Sequence, residues 1–334
     1  MTVSIALLGA GRIGRVHARA VASVAGVKLA AIADANAEAA GEIAALYETG
    51  VSTIDDIAAD DNIDAVIIAT PTGTHADLIE KFARASKAIF CEKPVDLDSA
   101  RARQCLAVVA ETGARLMLGF NRRFDPNFQA LKQTIADGKI GNPEMLHIVS
   151  RDPAPPPISY LASSGGFFKD MTIHDFDMSR FLLGEEIETV QASGSALIDP
   201  EIGKIGDFDS ASTILTTVSG RQCTISNSRR ATFGYDQRIE VLGSKGAVSA
   251  ENLRPASIEL ATAEGFLRPP IYDFFMTRYV DAFAAEIRSF AENLKSGAAM
   301  SPSGDDGLKA LEIAEAADLS ARERRLVYVS EIRG

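Results

Sequence analysis

The chain has 334 residues, more than the roughly 250–300 at which a single hydrophobic core stops growing, so two domains are expected. Its net charge of −11, from 34 basic and 45 acidic side chains, argues against nucleic acid and anionic membrane as partners. The composition, 46% hydrophobic and 24% charged, is that of a folded protein. Three cysteines without close spacing (Cys91, Cys105, Cys223) point to a reducing compartment and to neither a disulfide framework nor a metal site. No apolar run reaches the ~18 residues of a membrane span. The first apolar run begins at Val3 with no basic leader, so no secretory signal is expected and a cytoplasmic location is.

As far as residue 119, short apolar runs alternate with helical patterns. Strands are predicted over residues 3–8, 27–33, 65–69, 88–91 and 115–119, with helices over 16–23, 37–47, 76–85 and 99–112. Gly113 can end the last of these helices. Such alternation predicts an α/β fold, a doubly wound parallel sheet over residues 1–120. Beyond that the pattern changes. Phe128, Leu131 and Ile135 recur at helical spacing, and Gly138 can close that helix. Pro153-Ala154-Pro155-Pro156-Pro157 must be an irregular loop, because it lacks most backbone donors. A helix over 171–183 precedes strands over 187–198, 210–218, 222–228 and 238–242, and Gly243-Ser244-Lys245-Gly246 reads as a hairpin turn into 247–250. An amphipathic helix follows, with Tyr279, Phe283, Ile287, Phe290 and Leu294 on one stripe, and a helix over 307–319 closes the chain. Residues 121–334 are thus expected to form an α+β domain with a large, mostly antiparallel open sheet. The C-terminal helices are free to pack back on the first domain.

Gly9-Ala10-Gly11-Arg12-Ile13-Gly14 fits G-x-G-x-x-G where the mechanism needs it, after a buried strand and opening a helix. The first glycine permits the tight turn, the second lets a pyrophosphate approach the backbone, and the third lets helix pack on strand. The helix start adds amide donors and positive potential. Gly9, Gly11, Arg12, Ile13 and Gly14 are therefore expected cofactor contacts. Asp34 lies twenty positions after Gly14 and ends the second strand, as expected for a carboxylate that holds a ribose hydroxyl. It would repel a 2′-phosphate, and Ala35-Asn36 supply no arginine, so NAD is favoured over NADP. The competing reading is a glycine turn with Asp34 capping the next helix. Thr70, Pro71, Thr72 and His75 sit at the carboxyl end of a strand, the edge where open α/β sheets bind ligands. They read equally as nicotinamide-side contacts or as a polar loop with His75 starting a helix. Cys91-Glu92-Lys93-Pro94 ends the next strand at the same edge. Lys93 there can hold a substrate hydroxyl, or it can be a solvated partner of Glu92, while Cys91 reads as core filler. His17 and His147 read as structural.

Asp170-Met171-Thr172-Ile173-His174-Asp175-Phe176-Asp177 carries the remaining chemistry. As a helix it places Asp170, His174 and Asp177 on one stripe, with Met171, Ile173, Phe176, Met178, Phe181 and Leu182 elsewhere. A histidine beside a carboxylate is the usual general base near neutral pH. A metal site on the same residues would need a second ligand cluster, which the sequence lacks. A helix start capped by Asp170, with His174 structural, remains the plain alternative.

In order and spacing, residues 9–14, Ala69-Thr70-Pro71 with His75, Glu92-Lys93-Pro94 and Asp170…His174 resemble the glucose–fructose oxidoreductase and inositol dehydrogenase family. Gly119-Phe120-Asn121-Arg122-Arg123-Phe124-Asp125 and residues 171–180 look most like its bacterial inositol 2-dehydrogenases, and residues 306–311 are also similar to the family. The resemblance spans nearly the whole chain. It implies a Rossmann NAD domain, no metal, and a catalytic set of Lys93, Asp170 and His174. In that set His174 is the general acid/base as hydride leaves a secondary hydroxyl carbon for NAD. It also implies an often cis Lys93–Pro94 peptide, Glu92 beside the cofactor, Arg122 as a cofactor or substrate contact, and Asp152 and Tyr235 as candidates for polyol contacts. Phe233 and Phe283 stand where some relatives carry pocket tyrosines. The implied substrate is a cyclic polyol, myo-inositol first, with other cyclitols or aldoses as alternatives. The implied assembly is a homodimer or homotetramer through the C-terminal sheet. A non-catalytic NAD-binding regulator is the rival class, but it would not need lysine, aspartate and histidine together.

Overall fold

The computed structural model describes residues 2–333 in two compact units, one comprising the chain up to Asp125 with Val280–Leu311, the other Pro126–Tyr279 with the chain from Glu312. In the first unit six strands lie in the order β3-β2-β1-β4-β5-β6. They are β1 (Val3–Leu8), β2 (Val27–Ala33), β3 (Gly50–Val51), β4 (Ala65–Ile68), β5 (Ala88–Glu92) and β6 (Leu116–Gly119). Every pairing is parallel. Helices cover both faces of such a sheet, so its central strands read as unbroken apolar runs. β1, β4 and β5 are accordingly buried at every position. The two-residue edge strand β3 is exposed and has no apolar signal, which is why the sequence did not suggest it. The first helix starts at Arg12 rather than at residue 16. The glycine turn ahead of it hides the start from any propensity argument.

The helix Val280–Ser296 belongs to this unit. Its apolar stripe buries Phe283, Ile287 and Phe290, and the Phe290 ring meets Phe90 of β5 edge-on at 5.8 Å. Arg115 donates to the carbonyls of Asn293 (2.7 Å) and Leu294 (3.3 Å). The last carbonyls of a helix have no partner within it and attract cations.

The second unit is built on a seven-stranded sheet in the order β12-β11-β7-β10-β9-β8-β15. Its strands are β7 (Pro143–Arg151), β8 (Ile187–Ser195), β9 (Ser210–Thr217), β10 (Gln222–Ser228), β11 (Asp236–Gly243), β12 (Gly246–Ala250) and β15 (Val327–Tyr328). A separate hairpin pairs β13 (Leu260–Thr262) with β14 (Gly265–Leu267). All neighbours in the large sheet are antiparallel except β7 and β10. One face is core, formed by Leu146, Ile148, Val190, Leu215, Cys223, Ile225, Ile239 and Val241. β7, of which the sequence shows only a strand-like segment around His147 with no bounds, lies inside the sheet. It opens on Pro143, and its first three residues show no buried/exposed alternation; a proline is tolerated there because it stands at the strand's first position.

The predicted helix over 171–183 is two pieces, a π-turn Phe168–Thr172 and an α-helix Ile173–Leu183. Gly184 ends the helix at φ +67°. β8 stops at Ser195, short of the predicted 198. Beyond it the Asp209 carboxylate accepts from the amides of Leu197 (2.8 Å), Ile198 (2.7 Å) and Asp199 (3.1 Å), which turns the chain out of the sheet.

Candidate functional site

In the first unit the glycine turn joins β1 to the helix Arg12–Ser23. Gly9 has φ +103°, and a Cβ on it would lie 2.4 Å from the Ala69 carbonyl oxygen; a Cβ on Gly14 would lie 2.0 Å from the Gly9 oxygen. Neither position tolerates a side chain. Gly11, by contrast, faces open space, and no side chain caps the helix that begins there. The start of the helix, with its positive potential, thus faces open space at Gly11 with no side chain over it. That is the fit a dinucleotide pyrophosphate requires.

Asp34 leaves β2 toward this turn, its carboxylate accepting from the amides of Ala10 (2.6 Å) and Asn36 (2.7 Å). Asp34 is not the cap of the next helix. Asn36 takes that role, accepting from the amides of Glu38 and Ala39. Two of the four lone-pair directions of the Asp34 carboxylate therefore remain for ribose hydroxyls.

Thr70 and Thr74 share a hydroxyl–hydroxyl bond of 2.7 Å, and Thr74 also donates to the Pro71 carbonyl. Pro71 and Thr72 remain at least partly exposed at the strand edge. His75 is different. It is 1% exposed, with Nδ1 2.7 Å from the Pro94 oxygen and Nε2 2.9 Å from the Thr70 oxygen. The ring ties the two strand-end loops together and leaves no nitrogen for a ligand. Glu92 is buried, and its Oε1 lies 2.7 Å from His17 Nε2 while Oε2 accepts from the Lys93 amide at 3.3 Å. His17, wholly buried, also packs edge-on against Phe90 and Phe283. Glu92 thus anchors the strand end that presents half-buried Lys93, whose peptide to Pro94 is cis. Arg122 is buried within the 3-10 turn Asn121–Phe124. Cys91 is core, as are Cys105 and Cys223. Burial pushes the Cys91 and Cys223 thiols well above their usual range and Cys105 up to about 12, so none is a thiolate nucleophile.

In the second unit, residues 167–180 are buried at every position but three: Lys169, Asp170 and His174. Lys169 pairs with Glu315 at 3.1 Å. That leaves Asp170 and His174 as the partly exposed acid and imidazole of this segment. The single stripe predicted for them does not extend to Asp177, which is 1% exposed. Asp170 sits in the π-turn, whose extra residue breaks the i, i+4, i+7 register; such turns recur at functional sites. Asp175 is wholly buried and accepts from Asn227 Nδ2 at 2.7 Å, and Thr172 bonds Asn227 Oδ1. Together they fix the helix start to β10.

Both oxygens of Asp170 are held: Oδ1 accepts from the Tyr160 hydroxyl (2.9 Å) and Oδ2 from Arg229 Nη2 (3.1 Å). Neither partner was legible as a site residue. Arg229 follows β10 in Ser228-Arg229-Arg230, a pair that reads as solvated charge, and Tyr160 follows the proline loop. Asp152 is half-buried at the end of β7, its amide bonded to the Ser228 carbonyl. Tyr235 is buried against the rings of Phe274 and Tyr279. Phe283 is buried in the first unit, and Phe233 is exposed in the second. Among the described residues no group of three or more His, Cys, Asp or Glu could hold a metal ion.

A parallel sheet whose first turn is this glycine cradle, with an acidic residue at the end of β2, defines an NAD-binding domain. The chain belongs to the GFO/IDH/MocA family of oxidoreductases, and NAD is its cofactor: residues 3–120 match the family's NAD-binding Rossmann fold and residues 128–249 its C-terminal domain. It is 61% identical over 330 residues to an inositol 2-dehydrogenase of Rhizobium meliloti (strain 1021), covering 99% of this chain and 100% of that one. A myo-inositol 2-dehydrogenase of Thermotoga maritima is 43% identical, with 99% of each chain covered. The structure of scyllo-inositol dehydrogenase from Lactobacillus casei with bound NAD(H) and scyllo-inositol superposes with a TM-score of 0.91 at 29% identity, covering 99% of this chain and 100% of that one.

Proposed function

We propose that the chain oxidises a secondary hydroxyl of a cyclic polyol, with myo-inositol as the first substrate and its 2-keto derivative as product. The observation that carries this reading is the pair Asp170 and His174, an acid and an imidazole left partly exposed in an otherwise buried segment. The names of the relatives at 61% and 43% identity support the choice of a cyclitol. We assign His174 to remove the hydroxyl proton, and Asp170 and Lys93 to hold the hydroxyl and stabilise the charge that develops. When bound, NAD supplies the hydride acceptor. Arg122, Asp152 and Tyr235 are assigned to polyol contacts, and Thr70, Pro71, Thr72 and Glu92 to the cofactor side. Residues 1–120 then serve the cofactor, and the C-terminal half serves substrate and self-association.

The scyllo-inositol bound in the Lactobacillus casei neighbour makes that isomer the second candidate. A panel of myo-inositol, scyllo-inositol and aldoses, run with NAD and NADP in parallel, tests the reading by absorbance of the reduced nicotinamide. Turnover is expected with cyclitols and NAD. It should be weak with NADP, because the Asp34 carboxylate would face the 2′-phosphate. Absence of turnover with every cyclitol would overturn the assignment.

The large sheet turns its second face away from its own core, and Met145, Ile214 and Leu242 on that face are 42–47% exposed. Met145 is paired with Leu242. Exposed apolar side chains on a broad sheet are ordinarily covered in an oligomer, so we propose a homodimer or homotetramer through this face. Ile214→Asp should shift sedimentation velocity to a monomer; an unchanged mass would refute it. All three cysteines are free, which suits the cytoplasm we propose as its location. No helix among the described residues is long and apolar enough to cross a membrane.

A further inference from the structure

Asp170 is aimed by a buried cation that no motif includes. Arg229 is 1% exposed, and its amide donates to the Asp209 carbonyl at 2.8 Å. Its guanidinium carbon lies 5.3 Å from the centre of the Phe167 ring, and Nη2 reaches Asp170 Oδ2 at 3.1 Å. Burying a guanidinium is costly unless it is paired, and an aromatic face returns only part of that cost. The ion pair with Asp170 is therefore what Arg229 is placed for. Because Tyr160 holds the other oxygen, the plane of the carboxylate is set from both sides, in a π-turn that already displaces the side chain from helical register.

We propose that Arg229 is a positioning residue for the reaction, acting through Asp170. The inference rests on the assignment of Asp170 to the substrate hydroxyl. Its chemistry is that of orientation: a carboxylate free to rotate loses the fixed geometry that holds a reacting hydroxyl, and misplacement of about 1 Å can cost a hundredfold in rate. Arg229 touches neither substrate nor cofactor in this account, so its loss should fall on kcat rather than on substrate affinity.

The test is a double-mutant cycle on the full chain, with kcat and KM measured for the polyol. Arg229→Ala should lower kcat by about 10- to 100-fold with KM changed by less than about threefold, and added guanidinium should restore part of the loss. Asp170→Asn should lower kcat at least as much. The double variant should be no slower than Asp170→Asn alone, because residues acting as a unit are non-additive. Arg229→Lys, which keeps the charge without the planar fork, should fall between the native chain and Arg229→Ala. If Arg229→Ala does not fold, Arg229→Lys with and without Asp170→Asn closes the same cycle. Losses that multiply in the double variant would overturn the proposal while leaving the role of Asp170 standing. An Asp170→Asn variant as active as the native chain would overturn the role of Asp170 and, with it, the proposal.

Discussion

Alanine at position 174 lowers kcat for the polyol by about 10²- to 10⁴-fold, the range that a positioned general base contributes. The dissociation constant of NAD, measured by calorimetry because the chain has no tryptophan, changes by no more than a few-fold. The reason lies in where the groups are. The turn proposed to hold the pyrophosphate is backbone at residues 9–14, and the carboxylate proposed for the ribose is Asp34; His174 belongs to neither. His174 is also not a core histidine. It is half-buried where residues 171–173 and 175–180 are all buried. A structural role would give the opposite pattern, a lower melting temperature with unchanged kcat in the folded fraction. Unchanged turnover at neutral pH would remove His174 from the role of base.

Methionine at position 286 should stabilise the protein, by more at high pH than at low. Glu286 is wholly buried on the helix Val280–Ser296, and neither carboxyl oxygen has a hydrogen-bond partner among the described residues. Burial, and after it the nearby charge of Glu92, holds its carboxyl well above the usual carboxylate range. The native chain therefore keeps this proton in a pH range where the unfolded chain has already lost it. Folding takes up a proton there, so stability is full below the ordinary carboxylate value and declines as pH rises toward the raised one. An apolar residue of similar volume removes both the unpartnered polar group and this decline. A buried polar group left without a partner costs about 1–3 kcal/mol, and relieving it is worth about 2–4 °C per kcal/mol for a domain of this size. Thermal unfolding of both forms from pH 6 to 9 checks it. A melting difference that is absent, or that shrinks as pH rises, would refute the account.

The elements and motifs that were legible in the sequence share a physical character. β1 and β2 were located to the residue because largely apolar runs, interrupted only at Ser4 and Lys28, and their glycine or charged boundaries are local facts. The cofactor turn was legible because steric demand falls on three glycines within six positions. His75 shows the limit of such reading. Its place after Thr70-Pro71-Thr72 pointed equally to a ligand contact and to a helix start, and only the positions of the Pro94 and Thr70 carbonyls show that both ring nitrogens are engaged. The helix over 171–183 shows a second limit. A hydrophobic pattern does not reveal a π-turn, because one extra residue changes which side chains share a face without changing the composition of the segment.

In the sequence alone a long, acidic chain already divides into a parallel α/β half and a strand-rich half, shows the glycine turn of an NAD domain, and offers Lys93, Asp170 and His174 as candidates for the chemistry. The division and the turn follow from patterns within a few positions of the chain, and the candidate set from the resemblance of its motifs to a family. How those residues are held depends on contacts between distant parts of the chain. Arg229 meets Asp170 across 59 positions, His17 meets Glu92 across 75, and Glu286 comes to lie near Glu92 through a helix nearly two hundred residues away. Such pairings depend on strand order, register and the packing of distant helices, and a side chain carries no local mark of the partner that those will bring to it.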